Sequence, residues 1–178
     1  MTKPFLLLIL APMLAGAPQA ASQPRRPASQ DLRDFPSRVL AVHNRHRAAA
    51  GVPRLTWDRR LAAEAARYGP ALGALGGRLA HSPRAGRRGQ GENLWMGTAG
   101  VFAVEAMVGS WADERRYFRP GIFPAVSTTR NWADVGHYTQ MIWRGTTHLG
   151  CALHRSRRWD YLICRYAPSG NVDGRPVP

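Results

Sequence analysis

The sequence predicts one domain of mixed α and β structure in which helices pack around a single sheet. Apolar side chains recur at helical spacing in three separate stretches, which predicts three amphipathic helices. Two apolar runs, residues 149–153 and 161–166, are joined by a short arginine-rich segment, the pattern of a β-hairpin. With 178 residues, the chain is long enough for one domain with its own core and too short for two. Because helical and strand patterns interleave without an internal repeat, we expect both to share one core.

The first 21 residues have the pattern of a secretion signal. Lys3 supplies a positive charge, and the apolar run of residues 5–14 is too short to span a bilayer, whose core needs about 20 residues. Small residues follow, and we expect cleavage near Ala20 or Ala21. A retained membrane anchor is the alternative. Because no later stretch is long and apolar enough to span a membrane, we predict a protein without a transmembrane segment after processing, secreted to the extracellular space or the periplasm.

The domain is predicted to start with a helix. Residues 22–33 are rich in arginine, proline and polar residues, so we predict a flexible lead-in there. The folded domain is predicted over residues 34–173, with a loose tail at residues 174–178. Asp34 is the candidate N-cap of the first helix, because a short polar side chain can bond the free N–H groups of a first turn. Gly51 is expected to end this helix.

Two more helices are predicted after the first. Residues 55–58 form a short extended piece, and Thr56 or Asp58 should cap the helix that follows. The Gly-Pro pair at residues 69–70 is expected to weaken or end it. The third helix is predicted over residues 98–114. The inward faces are defined by Leu61, Ala62, Ala65 and Tyr68 on the second helix and by Val101, Val104, Met107, Val108 and Trp111 on the third.

Three further segments precede the hairpin: residues 84–91, residues 92–96 and residues 136–143. Residues 84–91 are rich in glycine and arginine, which predicts an exposed and mobile loop. Residues 92–96 place a carboxylate and an amide beside an apolar run, which predicts a buried edge. Residues 136–143 are predicted to form a helix. Four of its side chains are too apolar to lie in water and should clamp the segment into the core, fixing His137: Tyr138, Met141, Ile142 and Trp143.

The two cysteines, Cys151 and Cys164, lie in the two runs of the predicted hairpin. Export to an oxidising compartment favours their pairing. A bridge across the hairpin would stabilise the fold by about 2–3 kcal/mol. The alternative, a nucleophilic or metal-binding thiol pair, requires a reducing or metal-rich setting of which the sequence shows no sign.

The chain is strongly basic, with a formal net charge of +14 from 25 basic and 11 acidic side chains. One interpretation is attraction to anionic surfaces such as envelope polymers, lipid headgroups or nucleic acid. The other is that the arginines reflect genome composition and a solvated surface. Because the arginines are dispersed and no nucleic-acid-binding signature accompanies them, we favour the second interpretation and expect no specific nucleic-acid partner.

Several catalytic signatures are absent from the sequence, including H-E-x-x-H, G-x-S-x-G and the Walker loop. Apart from Lys3 the chain has no lysine, so Schiff-base chemistry and Ser–Lys dyads are closed to the processed protein. His43 and His46 share one face of the first helix, but they are a weak signal for a metal pair. A packed histidine and a solvent-facing one are the simpler interpretation.

Four polar residues each lie beside an apolar anchor that should fix the local backbone: His81, Glu92, Glu114 and His137. Two neutral imidazoles and a water form an open, zinc-like site, and a nearby carboxylate can orient an imidazole or accept a proton from the water. Two glutamates could instead support glycoside cleavage, one as acid and one as base. Spacing alone does not prove that the four converge, because they are too far apart along the chain to share one helix or hairpin.

The sequence resembles the CAP superfamily, also called the SCP domain, whose members include cysteine-rich secretory proteins, insect venom antigen 5 and plant pathogenesis-related class 1 proteins. The resemblance covers residues 37–173. It rests on four motifs in the family's order: His43-Asn44-x-x-Arg47, Gly91-Glu92-Asn93-Leu94, the run of residues 136–143, and the long final run of residues 161–172. It implies a three-layer α-β-α sandwich with a central, mostly antiparallel sheet, and an extracellular location.

The resemblance also implies a site. His81, Glu92, Glu114 and His137 match the two histidines and two glutamates that line a central cavity in the family, and in some members the two histidines bind zinc. Cys151 and Cys164 match a pair that is linked in several members. This chain departs from the eukaryotic members in having fewer cysteines, a longer and very basic stretch between His81 and Glu92, and no appended channel-blocking domain. It resembles a single-domain, bacterial-type member.

These features leave three hypotheses for function. In the first, a secreted binding module takes a sterol, lipid or other apolar ligand, its arginines attract anionic envelope surfaces, and it serves a defence or antimicrobial role. In the second, a zinc-assisted hydrolase uses His81 and His137 as ligands, Glu92 as base and Glu114 to orient a histidine. In the third, the four residues are structural and hold loops together around an ion or water, while the surface of the protein makes the interactions. Because no nucleophile is obvious and two histidines make a weak metal cage, we expect a binding module, not an enzyme, and a monomer.

Overall fold

The computed structural model describes residues 32–87 and 89–178, so the predicted signal peptide and nearly all of the predicted lead-in lie outside the described residues. Helices alternate with strands along the chain. The helices are α1 (Phe35–Ala49), α2 (Arg59–Gly73), α3 (Val104–Ala112) and α4 (Gly136–Met141). The strands are β1 (Thr56–Trp57), β2 (Gly91–Thr98), β3 (Gly121–Ile122), β4 (His148–Arg155), β5 (Trp159–Ala167) and β6 (Pro176–Val177). Short 3-10 turns cover Arg84–Arg87, Asp113–Tyr117 and Trp132–Val135.

The main sheet has the strand order β1-β4-β5-β2. Strand β1 runs parallel to β4, and the other neighbours are antiparallel. Strands β4 and β5 are the predicted hairpin. Cys151 lies directly opposite Cys164 within it, and the two form the predicted disulfide with their Cα atoms 4.1 Å apart. The covalent bridge therefore joins the two central strands.

Side chains alternate along β5 between the two faces of the sheet. Leu162, Cys164 and Tyr166 pack with α1, α3 and α4 in the larger core. Tyr161 and Ile163 pack with α2 on the other face. Helices therefore cover both faces, which confirms the predicted mixed α and β class and the α-β-α sandwich that the resemblance implied.

Helix α2 starts where the sequence predicts and lies unusually close to the sheet. Its N-cap is Asp58, whose carboxylate accepts hydrogen bonds from the N–H groups of Arg60 and Leu61 at 2.7 and 3.0 Å. Gly150 of β4 lies directly against the first turn of α2, and a Cβ at this position would overlap the backbone N of Ala62. Glycine at position 150 is therefore what lets helix and sheet approach.

The sequence predicts that the Gly69-Pro70 pair weakens or ends helix α2; the pair does not end the helix, which continues to Gly73. Packing against the sheet explains the difference. A Cβ at Gly69 would stand 2.7 Å from Cβ of His154, and one at Gly73 would stand 2.6 Å from Nε2 of the same histidine. Because the two glycines have no side chains, the His154 side chain of β4 packs directly against the helix backbone, and this contact outweighs the poor helix propensity of Gly and Pro.

Two predictions about helix starts are partly wrong. Asp34 occupies the N-cap position of α1, but its side chain makes no capping hydrogen bond. Helix α3 begins at Val104 because β2 extends to Thr98 and a turn follows it. Val101 lies in that turn and is 56% exposed, so it does not face the core as predicted. Glu114 lies beyond α3, in the following 3-10 turn.

The carboxyl terminus is ordered into the fold, so the loose tail predicted for residues 174–178 is wrong. Strand β6 pairs antiparallel with β3, and Val177 is buried in a smaller core beside Phe123 and Trp143. Pairing with β3 and burial of Val177 together hold the carboxyl terminus in the fold. Within the described ranges, no helix combines the length and apolar character needed to cross a bilayer.

Candidate functional site

Helix α4, which carries His137, is held at its carboxyl end by a buried arginine. Arg47 of α1 is fully buried, and its guanidinium donates hydrogen bonds to the carbonyl oxygens of Met141, Trp143 and Thr146, each at 2.9 Å. Met141 is the last residue of α4, whose end carbonyls lack partners within the helix and carry partial negative charge, and Trp143 and Thr146 lie in the segment that follows. The guanidinium therefore binds the end of the helix and the chain that leaves it. Burial lowers the pKa of Arg47 to about 10, which leaves it charged at neutral pH.

The amino end of the same helix is held by a carboxylate. Glu114 Oε2 accepts hydrogen bonds from the backbone N–H groups of His137 and Tyr138, both at 3.0 Å. Its Oε1 lies 2.6 Å from Nδ1 of His137. Because a carboxylate oxygen accepts, His137 carries a proton on Nδ1 and its Nε2 stays available as an acceptor or metal ligand. Glu114 thus orients His137 from behind.

Contacts from helix α3 and from the sheet also fix His137. Its ring stacks on Trp111, with centroids 5.9 Å apart and planes 15° apart. Its carbonyl oxygen accepts a hydrogen bond from Nδ2 of Asn93 at 3.1 Å. The same amide donates to the hydroxyl of Tyr166, also at 3.1 Å. That hydroxyl lies 2.8 Å from Nε2 of His43, so the network reaches α1.

His43 serves this network as a neutral, buried side chain. Its Nδ1 lies 2.9 Å from the carbonyl oxygen of Val39, which can only accept, so Nδ1 carries the proton and Nε2 accepts from the Tyr166 hydroxyl. Burial lowers the pKa of His43 to about 4. His46 is partly exposed and lies edge-on to Tyr138. The pair is therefore one packed and one more exposed histidine, as the sequence interpretation favours.

Glu92 is the centre of a buried charged cluster on the other face of β2. Its Oε1 lies 2.8 Å from Nδ1 of His81 and accepts the backbone N–H of Ser82 at 2.9 Å. Its Oε2 accepts the Ser82 hydroxyl at 2.9 Å and lies 3.1 Å from Nε of Arg165. Burial by itself raises the pKa of Glu92, but the hydrogen bonds from His81 and Ser82 and the charge of Arg165 outweigh burial and lower it below the ordinary value.

The register of β2 explains how one strand serves both histidines. Glu92 lies directly opposite Arg165 in the β2–β5 ladder. Glu92 and Asn93 point to opposite faces of the sheet because side chains alternate along a strand. Glu92 therefore holds the ring of His81, while Asn93 holds the backbone of His137.

His81 and His137 line one open cleft of about 750 Å³ at the end of the sheet where β2 begins. Glu92 also contributes to the lining. Glu114 does not, because it contacts His137 from behind. The structure therefore brings three of the four predicted residues to one cleft and places the fourth in contact with one of them. The other lining residues are Arg84, Arg87, Gly89, Gln90, Gly91, Asn93, Phe123, Pro124, Trp132, Ala133, Gly136, Gln140, Ser169, Gly170, Asn171, Val172 and Asp173.

The cleft combines apolar and cationic side chains. Trp132 is 47% exposed and Val172 is 44% exposed, although both are large and apolar. Phe123 packs edge-on against Trp132 with ring centroids 5.4 Å apart, which holds the indole in place. Arg84 and Arg87 come from a 3-10 turn at the start of the stretch for which the sequence predicts an exposed loop, residues 84–91. A ligand with an apolar part and an anionic part would match this lining.

Three residues that the sequence analysis did not assign contribute to the site. Ser82 and Arg165 complete the cluster around Glu92. Gln140 accepts the N–H of Gly170 at 2.9 Å and lies so close to Gly91 that a Cβ there would overlap its side chain. A signal for Arg165 does exist in the sequence. An arginine inside an otherwise apolar strand indicates a buried partner of opposite charge.

The histidines have the arrangement that zinc ligands commonly show. Each Nδ1 is engaged by a carboxylate, His81 by Glu92 and His137 by Glu114, which leaves each Nε2 as the available ligand atom. Among the residues that the structure describes, no group of three or more His, Cys, Asp or Glu side chains is placed to hold a metal ion. The donor chemistry thus fits an ion that takes two ligands from the protein and the rest from water or a ligand.

The structure is a three-layer α-β-α sandwich whose open cleft is lined by two histidines, each oriented by a carboxylate. This fold and this site together define the class to which the protein belongs. Comparison with known proteins gives the family. The family model described as "CAP: Cysteine-rich secretory protein family" matches residues 40–166, and the chain belongs to this family. The match lies inside the predicted domain of residues 34–173, and it confirms the resemblance seen in the motifs.

Relatives of known sequence include plant and fungal proteins. Pathogenesis-related protein PRMS of Zea mays is 36% identical over 169 residues, 93% of this chain and 94% of that protein. Pathogenesis-related protein 1B of Nicotiana tabacum is 37% identical over 138 residues, 76% of each chain. Secreted protein RBT4 of Candida albicans is 35% identical over 144 residues, which cover 79% of this chain and 36% of that protein.

Solved structures with the same fold include NaASP2 with Zn2+ and BmVAL-1. The first has a TM-score of 0.67 at 23% identity and covers 79% of this chain and 83% of that one. The second has a TM-score of 0.65 at 21% identity and covers 89% and 85%. At this level of identity, the likeness establishes the fold alone.

Proposed function

We propose that this protein is a secreted binding module whose cleft takes an apolar or amphipathic ligand such as a lipid or sterol. The observation that carries the proposal is the lining, in which the exposed Trp132 and Val172 occur together with Arg84 and Arg87. An exposed indole held in a cleft gains apolar burial when a ligand binds. The guanidinium groups attract an anionic headgroup. An extracellular location and a role in defence are supported by relatives named pathogenesis-related and secreted.

The contacts of Glu92 favour binding over hydrolysis. A general base needs a free lone pair and a pKa near the working pH. Both oxygens of Glu92 are already engaged, by His81 and Ser82 on one side and by Ser82 and Arg165 on the other. Its lowered pKa keeps it deprotonated at neutral pH and makes it a weak proton acceptor. These contacts suit a residue that orients His81, which is the role that Glu114 has toward His137.

Replacing Trp132 with alanine tests the proposed ligand site. We expect Trp132→Ala to weaken binding of a fluorescent sterol or fatty acid about tenfold or more, because the ligand loses the apolar surface of the indole. The matched control is Ile122→Ala, which removes a side chain that is 53% exposed but lies outside the cleft lining. The readout is a fluorescence titration, together with mass spectrometry of lipids extracted from the secreted protein.

Two results would contradict the proposal. In the first, neither probe binds the wild-type protein and no lipid is extracted with it. In the second, Trp132→Ala and Ile122→Ala bind the probes as the wild type does, which would place the ligand elsewhere on the molecule.

A second candidate is a zinc-dependent role of the same cleft, favoured by the carboxylate contact of each histidine. One structural relative was solved with Zn2+. His81 and His137 would supply the ligands, and Glu92 and Glu114 would fix the two rings. A zinc ion in such a site can polarise a bound carbonyl or lower the pKa of a bound water. Residues of this chain would then bind and orient the ligand that the ion contacts.

Zinc binding is predicted to depend on both histidines. We expect isothermal titration and elemental analysis of the wild type to give about one zinc per chain, and His81→Ala and His137→Ala each to lose it. His148→Ala, a change at an exposed histidine outside the cleft, should keep the wild-type zinc content. Glu114→Gln should weaken zinc binding about 10- to 100-fold, because it removes the carboxylate that orients His137. Zinc retained in both histidine variants, or absent from the wild type, would contradict this candidate.

A further inference from the structure

The end of the sheet opposite the cleft carries a second exposed feature, formed by two loops. We call residues 99–102 and 156–158 the distal tip. The backbone N–H of Ala99 donates to the carbonyl oxygen of Arg158 at 3.0 Å. The N–H of Gly100 donates to Oδ2 of Asp160 at 2.8 Å. These bonds tie the β2–α3 loop to the end of the β4–β5 hairpin, so the two loops of the distal tip are held together.

The distal tip presents apolar side chains to solvent. Val101 is 56% exposed and Phe102 is 38% exposed. Phe102 is fixed at its base, since its ring packs edge-on against Trp95 with centroids 5.2 Å apart. Gly97 makes this possible, because a Cβ there would stand 2.9 Å from the Phe102 ring. A large apolar side chain that is held outward, without a core contact on its exposed side, indicates an interaction surface.

The charges of the distal tip are positive. Arg157 and Arg158 are exposed, and within the described ranges neither forms an ion pair. The acid of the same hairpin, Asp160, is fully buried and paired with Arg155 at 2.6 Å. The acidic side chain is thus withdrawn from the surface, while the two exposed arginines belong to the loop that is hydrogen-bonded to the loop of Val101 and Phe102. An apolar protrusion with adjacent arginines is complementary to an anionic lipid surface.

We propose that the distal tip docks this protein on an anionic lipid bilayer, with Val101 and Phe102 inserted among the headgroups and Arg157 and Arg158 bound to their phosphates. An anionic polysaccharide could pair with the arginines but offers no apolar phase for Val101 and Phe102. Strand β2 has eight residues, so the distal tip and the cleft lie roughly 24 Å apart at about 3.4 Å per residue. Docking would therefore leave the cleft facing away from the bilayer. The inference is independent of the ligand proposed for the cleft.

Co-sedimentation with vesicles tests the docking. The probes are vesicles of phosphatidylcholine alone and of phosphatidylcholine with about one third phosphatidylglycerol, at low and high salt. All variants carry the same amino terminus, so its contribution cancels. We expect Arg157→Gln/Arg158→Gln to weaken binding to anionic vesicles about fivefold for each charge removed. Val101→Ser/Phe102→Ser should weaken it about tenfold or more.

Two control variants make the same kinds of substitution at other places on the surface. Arg59→Gln/Arg60→Gln removes two exposed arginines at the start of α2, and Ile122→Ser removes an exposed apolar side chain near the cleft. Both should bind anionic vesicles within about twofold of the wild type. Three results would overturn the proposal. The first is that the wild type does not bind anionic vesicles, and the second is that control and tip variants lose vesicle binding equally. The third is that the distal tip binds an anionic polysaccharide such as heparin and not the vesicles. Trp132→Ala should leave vesicle binding unchanged, which separates this inference from the ligand site.

Discussion

Replacing Arg47 with methionine is expected to lower the free energy of unfolding by about 3–5 kcal/mol, a large share of the stability of a domain of this size. Methionine keeps most of the aliphatic volume and removes the guanidinium. The carbonyl oxygens of Met141, Trp143 and Thr146 then lose their donor while remaining buried, and each such loss costs about 1–3 kcal/mol unless water enters.

Two further variants make the Arg47 result interpretable. Arg47→Lys keeps a positive charge but lacks the planar fork that reaches several carbonyls at once, so we expect a smaller loss. Arg45→Met makes the same chemical change at an exposed position of the same helix and should cost no more than about 0.5 kcal/mol. The measurement is urea unfolding with the disulfide intact. A loss below about 1 kcal/mol in Arg47→Met would show that the carbonyls find other partners.

The two ends of α4 show what the sequence reveals about the site and what it hides. The apolar side chains of residues 138 and 141–143 predict a clamped helix, and they are buried as expected. The resemblance places Glu114 near His137, but the local pattern of residues does not reveal that Glu114 and Arg47 hold the two ends of α4, because both lie far along the chain from it. Both fit the helix dipole, with the carboxylate at the amino end and the guanidinium at the carboxyl end. Dipole complementarity is visible only once the three elements are assembled.

Two of the errors in the fold predictions share one physical cause. Gly69 and Pro70 are poor helix formers, and local reasoning ends α2 there, but His154 packs across Gly69 and Gly73 and the helix continues. Val177 lies in a stretch with no strong pattern, yet it is buried because β3 offers an edge to pair with. In both places, contacts between residues distant in sequence outweigh local propensity.

The pairing of Glu92 with Arg165 marks the limit of prediction for the site itself. The alternation of side chains on β2 follows from the strand pattern alone, so Glu92 and Asn93 can be assigned to opposite faces. That Glu92 faces Arg165 depends on the register between β2 and β5. A shift of one residue would place Arg165 on the other face of the sheet, and no local feature of either strand excludes that shift.

Removing the charge of Glu92 is the second change with a large expected effect. We expect Glu92→Gln to lower the free energy of unfolding by about 3 kcal/mol or more at neutral pH, because the buried Arg165 loses the carboxylate that it contacts. Glu105→Gln is the matched control. Glu105 forms an ion pair with Arg38 at 2.6 Å, but its side chain is 47% exposed, so the loss should stay below about 1 kcal/mol. Adding Arg165→Met to Glu92→Gln should recover part of the stability, since no unpaired charge then remains.

The difference between wild type and Glu92→Gln should depend on pH in a defined direction. The pKa of Glu92 in the folded protein lies below its ordinary value of 4.5. As pH falls below 4.5, the unfolded chain therefore binds a proton at this residue before the folded chain does. The stabilisation by Glu92 is complete above the unfolded pKa and is lost as pH falls through the folded pKa. Unfolding curves from neutral pH down to about pH 3 measure this loss, and a difference that stays constant over the whole range would contradict the assigned direction.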